Sequence, residues 1–547
     1  MKLLLLAATV FALAIDNFIF SQSVNWAWSK SSGSVSNDFS NATCSDINGN
    51  VYVTGTFQGS SITFGSYTLY NYSSGSLDIY LVKHDSNGNV LWAKSGGGTN
   101  NDYCYGICSD SSGNVYISGY FRSASIDFGN VTLDNEDSTG SSTDIFIIKY
   151  DSSGNIQWGR SVVNPDWELS NAICTDGKDI YVTGQFHGPC IFGNDTLTSL
   201  GSYDIFLAKY NSNGNLSWAR SVGGLRWDNS LGICTDLNSN VYVTGNFENL
   251  AIFGNDTIYG NWYSNTFLAK FDNNGYVIWA KPVAGTNFYR SSALGICSDA
   301  SNNIYITGWF MYSIVFSNDT LSNYGTASVY TAKYDSSGNA IWGRSPGGTG
   351  NDFGNSICRT IGSNVVVTGY FESSYLNFGG IPVLNANVGF DDIFVVEYDA
   401  NGNSIWATGI GDSDNDFGMG TCSGIDGSTY VTGYFGSYSL NFGSSTVINN
   451  GSYDMFLAKV GLLTEISESD YSDSRVFPNP FTDRLSFSCM NNELTEVKIF
   501  DISARIVFQR NFTGSITLNT HELTSGIYIY ELRSGAKNGI KGKIFKY

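Results

Sequence analysis

The chain has 547 residues, a formal net charge of −20 and a pI near 4.4. That length is ample for a large core, and that charge argues against nucleic acid and anionic membrane surfaces as partners. Aromatic residues make up 15% and glycines number 62, which suits many short strands joined by tight turns, and helix signals are nearly absent.

Residues 1–22 read as a secretory signal peptide. Lys2 supplies the positive charge, and Leu3 to Ala14 form an apolar run too short for a membrane span. Small residues suit cleavage after Ala14 or after Ser21. No later segment is apolar enough to cross a bilayer.

Residues 23–460 are built on one unit repeated seven times. Its core reads C-S/T-D-x-x-G-N-V-Y-V-T-G-x-F, then F-G, then D-I-F-L-A-K-Y-D-S-x-G-N, then W-A-K/R-S. The first copy runs Cys44, Gly55, Phe57, Phe64, Asp78, Trp92. The last runs Cys422, Gly433, Phe435, Phe442, Asp454 and has no Trp. The missing piece stands at the front as Trp28, which aligns without a gap on Trp92 and brings Asp38 onto Asp102. A seventh unit lacking its last strand, with a spare last strand at the other end, is what a closed ring requires. The expected fold is therefore all-β: a seven-bladed β-propeller closed by an N-terminal strand.

Each unit gives four strands, A to D. Strand A contains the Cys, and two residues before it the side chain is always small: Ala42, Gly106, Ala172, Gly232, Gly295, Ser356, Gly420. Only small groups fit where inner strands converge on an axis. Strand B is V-Y-V-T-G-x-F, with period-2 alternation, and its Gly suggests a bulge or a close backbone approach. Strand C is D-I-F-L-A-K-Y and strand D carries the Trp. Trp-to-Trp spacings from Trp28 to Trp406 are 64, 66, 60, 61, 63 and 64 residues. These exceed a WD40 unit of about 40–45 residues, and the excess falls between B and C around Phe64-Gly65 and its equivalents, as an extra hairpin. The whole unit resembles the SBBP propeller repeat of exported bacterial proteins, a resemblance that implies fold and not activity.

Ten cysteines in an exported chain suggest disulfides. Seven of them (Cys44, Cys108, Cys174, Cys234, Cys297, Cys358, Cys422) hold one repeat position, and equivalent positions on different blades are too far apart to pair. They read as small buried hydrophobes.

Strands alternate direction, so the A–B and C–D turns share one face, and the D–A junctions and B–C excursions share the other. The A–B and C–D turns are short and nearly identical; functional variation belongs on the second face. Two acidic rings map to that face. One precedes each Cys by six residues: Asp38, Asp102, Glu168, Asp228, Ser291, Asp352, Asp416. The other opens strand C: Asp78, Asp144, Asp204, Asn265, Ser328, Asp392, Asp454. No cofactor is otherwise implied, and the acids read either as Ca²⁺ ligands, Asp38, Asp102, Glu168, Asp228, Asp352 and Asp416 above all, or as loop caps. Recurrence in nearly every unit favours caps.

A site is expected where the repeats break symmetry. Before the junction acid stand Asn37, Asn101, Asn351 and Asn415, but three consecutive junctions carry Trp167, Trp227 and Arg290 instead. Arg226, Phe288 and Tyr289 adjoin them, and the fourth excursion adds Trp262 and Tyr263. Exposed Trp, Tyr and Arg suit stacking on sugars or anchoring a protein, and they also suit mutual packing as loop filling. Asp195-Thr196-Leu197, Asp256-Thr257-Ile258, Asp319-Thr320-Leu321 and Asp137-Ser138-Thr139 resemble the O-glycosylation acceptor of Bacteroidota exported proteins; the first three hold one repeat position, which also suits turns.

Residues 461–475 are polar and acidic, as in a linker. Residues 476–547 alternate as short strands, Arg484–Ser488, Glu496–Phe500, Ile506–Gln509, Ile516–Leu518 and Ile527–Leu532, which suggests a small β-sandwich. Pro478-Asn479-Pro480, Asp501 to Arg505, Leu523 to Tyr528 with Gly526, and the terminal Lys546-Tyr547 resemble the C-terminal sorting domain of type IX secretion cargo in the Bacteroidota. Ala504, where that family has Gly, and the basic run Lys537 to Lys543 depart from it. The resemblance implies export through the type IX machinery, removal of the domain, and a secreted or cell-surface product.

Only three histidines exist, His84, His187 and His521, in unrelated positions, which leaves no His-based metal site and makes a Ser-His-Asp triad improbable. Acids are plentiful, so a carboxylate pair for glycoside hydrolysis stays open. The sequence supports a non-enzymatic binding or adhesion module for glycan or protein, with a polysaccharide hydrolase or lyase and a structural surface-layer component as alternatives.

Overall fold

The computed structural model describes residues 24–137, 139–163, 166–283, 290–317, 319–323, 325–360, 362–443, 445–462, 474–477, 481–489, 493–501, 505–524, 526–534 and 540–546. The segment 1–22 read as a signal peptide, most of the segment 461–475 read as a linker, and Phe288, Tyr289, Pro478, Asn479 and Pro480 lie outside them. The described residues contain no helix, and the chain divides into two compact units between Gly461 and Leu462.

Among the described residues the first unit holds seven four-stranded antiparallel sheets, each in the order A-B-C-D. The inner strands A are Asp38–Ser45, Asp102–Ser109, Glu168–Thr175, Asn229–Thr235, Ser291–Ser298, Asp352–Arg359 and Asp416–Ser423. Each packs beside the next, and the seventh packs beside the first, so the ring closes as a β-propeller. Sheet 7 takes its outer strand from the other end of the unit: Val24–Ser32 pairs with strand C, Asp454–Leu462. Both chain ends of the ring therefore emerge on the face of the A–B and C–D turns.

In sheet 1 strands B and C are buried along their whole length, Val51–Phe57 and Asp78–His84; in most other sheets the x of T-G-x-F is half-buried. The alternation expected of B is not one of exposure. Each sheet is covered by a neighbour on both faces, so both sets of side chains are core. The excess between B and C is a two-stranded hairpin, Ser61–Phe64 with Tyr67–Tyr70 in sheet 1. In sheet 4 the hairpin merges into long strands, Val241–Phe253 and Asp256–Phe271.

The invariant Gly of strand B answers to a backbone approach. A Cβ on Gly55 would stand 1.9 Å from the carbonyl oxygen of Phe39, and one on Gly433 1.8 Å from that of Phe417. Strand A presses close here because it carries a β-bulge one step further on, between Ser40 and Ala42 and at the equivalent point of every sheet. The bulged residues turn toward the axis. With the small residues that follow them they line an axial channel of about 380 Å³. The need for small groups is physical, since a Cβ on Gly232 would meet Ile296 at 2.9 Å and one on Gly420 would meet the backbone of Ala42 at 3.2 Å.

The repeated cysteines are unpaired. Cys422 is buried, whereas Cys44, Cys108, Cys174, Cys234, Cys297 and Cys358 are only half-buried, which corrects the expectation of full burial. They stand on the innermost strand, whose axial side has no further sheet to cover it.

The second unit has a three-stranded sheet (Ser474–Phe477, Arg484–Cys489, Ser515–Asn519) and a four-stranded sheet. The latter is ordered Ile506–Phe512, Thr495–Phe500, Gly526–Ser534, Ile540–Lys546. One apolar cluster around Leu485, Phe487, Val497, Ile499 and Ile544 joins them. Lys546 is buried, and its ammonium donates to the carbonyls of Thr482 (2.6 Å) and Thr520 (2.9 Å). Gly526 pairs with Lys546 across the strands, and the Tyr528 hydroxyl donates to the carbonyl of Thr524 at 2.8 Å. These motif residues are tied to one another at the end of the domain.

Candidate binding face

The turns on the A–B and C–D face are closed by their own side chains. Asp46 accepts the amides of Asn48 and Asn50, both at 2.9 Å, and Asp85, Asp151, Asp272 and Asp335 repeat the arrangement.

On the opposite face the acidic rings are buried rather than displayed. Asp38, Asp102, Glu168, Asp228, Asp352 and Asp416 are each 0% exposed. Asp102 accepts the amides of Arg122 (3.1 Å) and Ser123 (3.2 Å) and the Ser123 hydroxyl (2.9 Å). Asp352 and Asp416 hold Ser373 and Ser437 in the same way. Asp38 accepts from Ser34 and Asp228 from Gly224 and Glu248. In the second ring Asp78, Asp204, Asp392 and Asp454 cap the amides of Tyr72, Leu200, Ala386 and Asn450. Among the described residues no group of three or more His, Cys, Asp and Glu side chains is arranged to hold a metal ion.

Burial raises these carboxyls: Asp38 to about 6, Asp102, Asp352 and Asp416 to about 7, and Asp228 to about 8. Glu168 departs from the ring. Its longer side chain lies beside the Asp144 carboxyl, and burial followed by that neighbour pushes it up to about 11.

The symmetry-breaking residues are displayed. Trp167, Trp227, Trp262 and Tyr263 are 39%, 47%, 58% and 47% exposed, and Arg226 and Arg290 are exposed as well. The structure brings them together in pairs rather than in one cluster. The Arg226 guanidinium stacks 4.4 Å from the Trp262 ring, and that of Arg290 lies 5.3 Å from Tyr263. Trp167 is capped by Arg122 at 5.2 Å. Trp227 donates its indole N–H to Gln185 at 2.9 Å and packs on Tyr203, which packs on His187. The His187 amide in turn donates to the carbonyl of Trp167, so a continuous band joins Trp167 to Trp227. Where Asn stands before the junction acid it serves the fold instead: Asn101 accepts the amide of Leu77 and Asn415 that of Asp391.

Thr196, Thr257 and Thr320 are exposed on the outer hairpins, each following an Asp that accepts a backbone amide of its own sheet's strand D. Ser138 lies outside the described residues.

Sequence reasoning missed an aromatic arc at the axial end of this face. Trp309, Phe353, Tyr370, Phe417, Tyr434 and Phe39 follow one another around sheets 5, 6, 7 and 1. Successive ring centroids lie 5.7, 5.1, 4.8, 4.9 and 4.8 Å apart. They come from two repeat positions, the residue after the junction acid and the x of T-G-x-F. That x is the variable letter in an otherwise constant motif, and its variation was the signal available.

Residues 475–546 match the family of secretion system C-terminal sorting domains. The protein is therefore exported and reaches the extracellular space or the cell surface. Among curated proteins the chain is similar to an uncharacterized WD repeat-containing protein, L264, of Acanthamoeba polyphaga mimivirus: 27% identity, over 71% of this chain and 34% of that protein. It is also similar to the regulatory protein FlaEY of Caulobacter vibrioides, 31% identical over 26% of this chain and 15% of that protein. The chain thus spans about a third or less of the curated relatives it matches. Among solved structures, it is similar to Sqt1 from Chaetomium thermophilum, with a TM-score of 0.33 and 8% identity over 79% of this chain and 99% of that one. A puromycin hydrolase gives 0.33 and 9%, over 72% and 58%. These likenesses are too distant for function to pass from them.

Proposed function

We propose that this chain is a seven-bladed SBBP-type propeller with a C-terminal β-sandwich sorting domain. It is exported by type IX secretion and works outside the cell as a non-enzymatic module that binds glycan or protein through its D–A/B–C face. One observation carries the reading: three consecutive junctions replace a structural Asn with Trp167, Trp227 and Arg290, and these side chains are exposed, as are Trp262 and Tyr263 beside Arg226 and Arg290. Large rigid aromatics left in water where the fold has an Asn for its own needs are what a binding surface uses.

An enzyme acting on polysaccharide would need accessible acids. The Glu168 and Asp144 carboxyls are an adjacent pair, but both are 0% exposed, so that pair does not serve catalysis. The test is retention of the full chain on immobilised polysaccharides and on host or bacterial surface proteins. Replacing Trp167 and Trp227 together by Ala should abolish retention that the unaltered chain shows. Undiminished retention would sink the reading.

A further inference from the structure

The axial mouth of the D–A/B–C face is chemically two-sided. On one side runs the aromatic arc from Trp309 to Phe39, its rings half-buried. Across the axis the same two repeat positions carry Leu169 and Gln185 in sheet 3 and Asn229 and Asn246 in sheet 4, and Ser292 stands opposite Trp309 in sheet 5; Asn229 and Asn246 are half-buried, Gln185 and Ser292 buried. Asn229 accepts from the side-chain amide of Asn171 at 2.8 Å, and Ser292 donates to Asn246 at 3.4 Å, two separate links among the amides and hydroxyls of this side. The channel of about 380 Å³ begins two residues further along strand A, lined by the bulged residues, Asn41, Tyr105, Asn171 and Asn355 among them, with Tyr105 37% exposed. The Asp391 carboxyl stands beside Tyr370 and Tyr434, raised to about 6 by burial and by Glu372. A carboxylate there opposes an anionic guest.

We propose that this mouth is the subsite for the terminal residue of a neutral glycan chain. A pyranose ring has a face of C–H groups that stacks on aromatic rings and a rim of hydroxyls that both donate and accept. Side-chain amides answer such a rim because each carries a donor and an acceptor. A concave site with an apolar wall and a few convergent polar groups is the usual form of a small-molecule pocket. Side chains of the inner strands, Tyr105, Leu231, Leu294 and Met419 among them, line the channel below, so the mouth takes a chain end rather than a chain passing through. Trp227 hydrogen-bonds to Gln185 of the amide wall, so a longer chain leaves the mouth directly onto the Trp band. The inference rests on the binding reading above and assigns its ligand class.

The test uses the full chain on an array of neutral and uronate-containing oligosaccharides, followed by calorimetric titration of the best neutral ligand. Asn246→Leu, which keeps volume and removes the amide, and Tyr370→Ala, which opens the arc, should each weaken affinity at least tenfold at unchanged fold. Trp167→Ala should weaken long oligosaccharides and leave disaccharides unaffected. Should Tyr370→Ala not fold, Asn246→Leu and Asn246→Ala decide. Affinity unchanged in the mouth variants overturns the inference, and loss in the Trp variants alone leaves the binding face standing without it. Retention of uronates only, or of no oligosaccharide at all, also overturns it.

Discussion

Glu397 accepts the indole N–H of Trp406 at 2.5 Å, and it does so at the seam where the ring is closed by a strand from the chain's other end. Elsewhere the equivalent Trp donates to a carbonyl in the C–D turn of the next sheet, as Trp92 does to Ser152 (3.2 Å) and Trp342 to Ala400 (3.2 Å). A Lys of strand C reaches the same carbonyl, Lys83 that of Ser152 and Lys333 that of Ala400. Sheet 7 has no C–D turn, because its strand D comes from residues 24–32. Trp406 and its Lys would face no carbonyl there, and at that one unit the Lys is replaced by Glu397. The acid takes the indole N–H and also accepts from Asn364 (2.9 Å) and Thr360 (3.2 Å).

Removing that acceptor should therefore cost more than a surface substitution. Trp406 is 1% exposed, so Glu397→Ala leaves a buried N–H unpaired, at about 1–3 kcal/mol. Glu397→Lys should cost more, since it buries an ammonium beside donors. Denaturant midpoints of the two variants check this. A Lys variant as stable as the unaltered chain would mean the seam tolerates the ordinary repeat residue.

The buried junction acids set the direction of pH dependence. Asp38, Asp102, Asp228, Asp352 and Asp416 rise from the ordinary 3.8 to between about 6 and about 8, chiefly by burial. A raised folded pKa means that the folded state binds the proton more tightly than the unfolded one. That contribution is full below the unfolded pKa and is lost as pH rises through the folded values. Thermal stability should thus fall from about pH 4 to about pH 8, and Asp228→Asn should flatten the upper part of the fall. A Tm that rises over this range would contradict it.

The same geometry predicts the response to calcium. Both carboxyl oxygens of Asp102, Asp352 and Asp416 already accept from the amide and hydroxyl of Ser123, Ser373 and Ser437. Excess Ca²⁺ should leave the Tm unchanged, and so should EDTA. A rise of several degrees that EDTA reverses would make the acids ion ligands rather than loop fasteners.

The architecture was legible because the repeat is covalently explicit: Trp28 aligned on Trp92 gives away the closing strand, and Phe64-Gly65 the extra hairpin. The aromatic arc was not legible, since Tyr370 and Phe417 belong to different units and meet only when sheets stack. The bulge that turns Tyr105 toward the axis is a backbone event with no residue signature of its own. Nor did recurrence reveal that Glu168, one letter different from its ring, leaves its loop to lie beside Asp144.

The strand-B glycine admits a strict test. A Cβ on Gly369 would stand 1.8 Å from the carbonyl oxygen of Phe353, a backbone atom held by the ladder of strands A and B. Gly369→Ala must therefore push strand A toward the axis or open the sheet, where overpacking in a closed core costs about 1–3 kcal/mol or more. The arc residues Phe353 and Tyr370 flank the site, so the variant should lose ligand at the mouth as well as stability. Retained stability would show that strand A can move away from Gly369.

The closing strand should govern the whole ring. Trp26, 5% exposed, packs edge-on against Phe442 at 4.9 Å, within the cluster that includes Trp406 and Phe456. Trp26→Ala removes the largest side chain that Val24–Ser32 contributes to that core, at about 3–5 kcal/mol. Deleting residues 24–32 leaves strand C of sheet 7 as an open edge and removes the Trp28 bond to Ser86 of sheet 1. Because the seventh inner strand packs on the first, the loss should spread beyond one sheet: unfolding should become broad and multistep, and hydrogen exchange should accelerate first in sheets 7 and 1. A truncated chain that still melts in one sharp step would mean that inner-strand packing closes the ring without the outer strand.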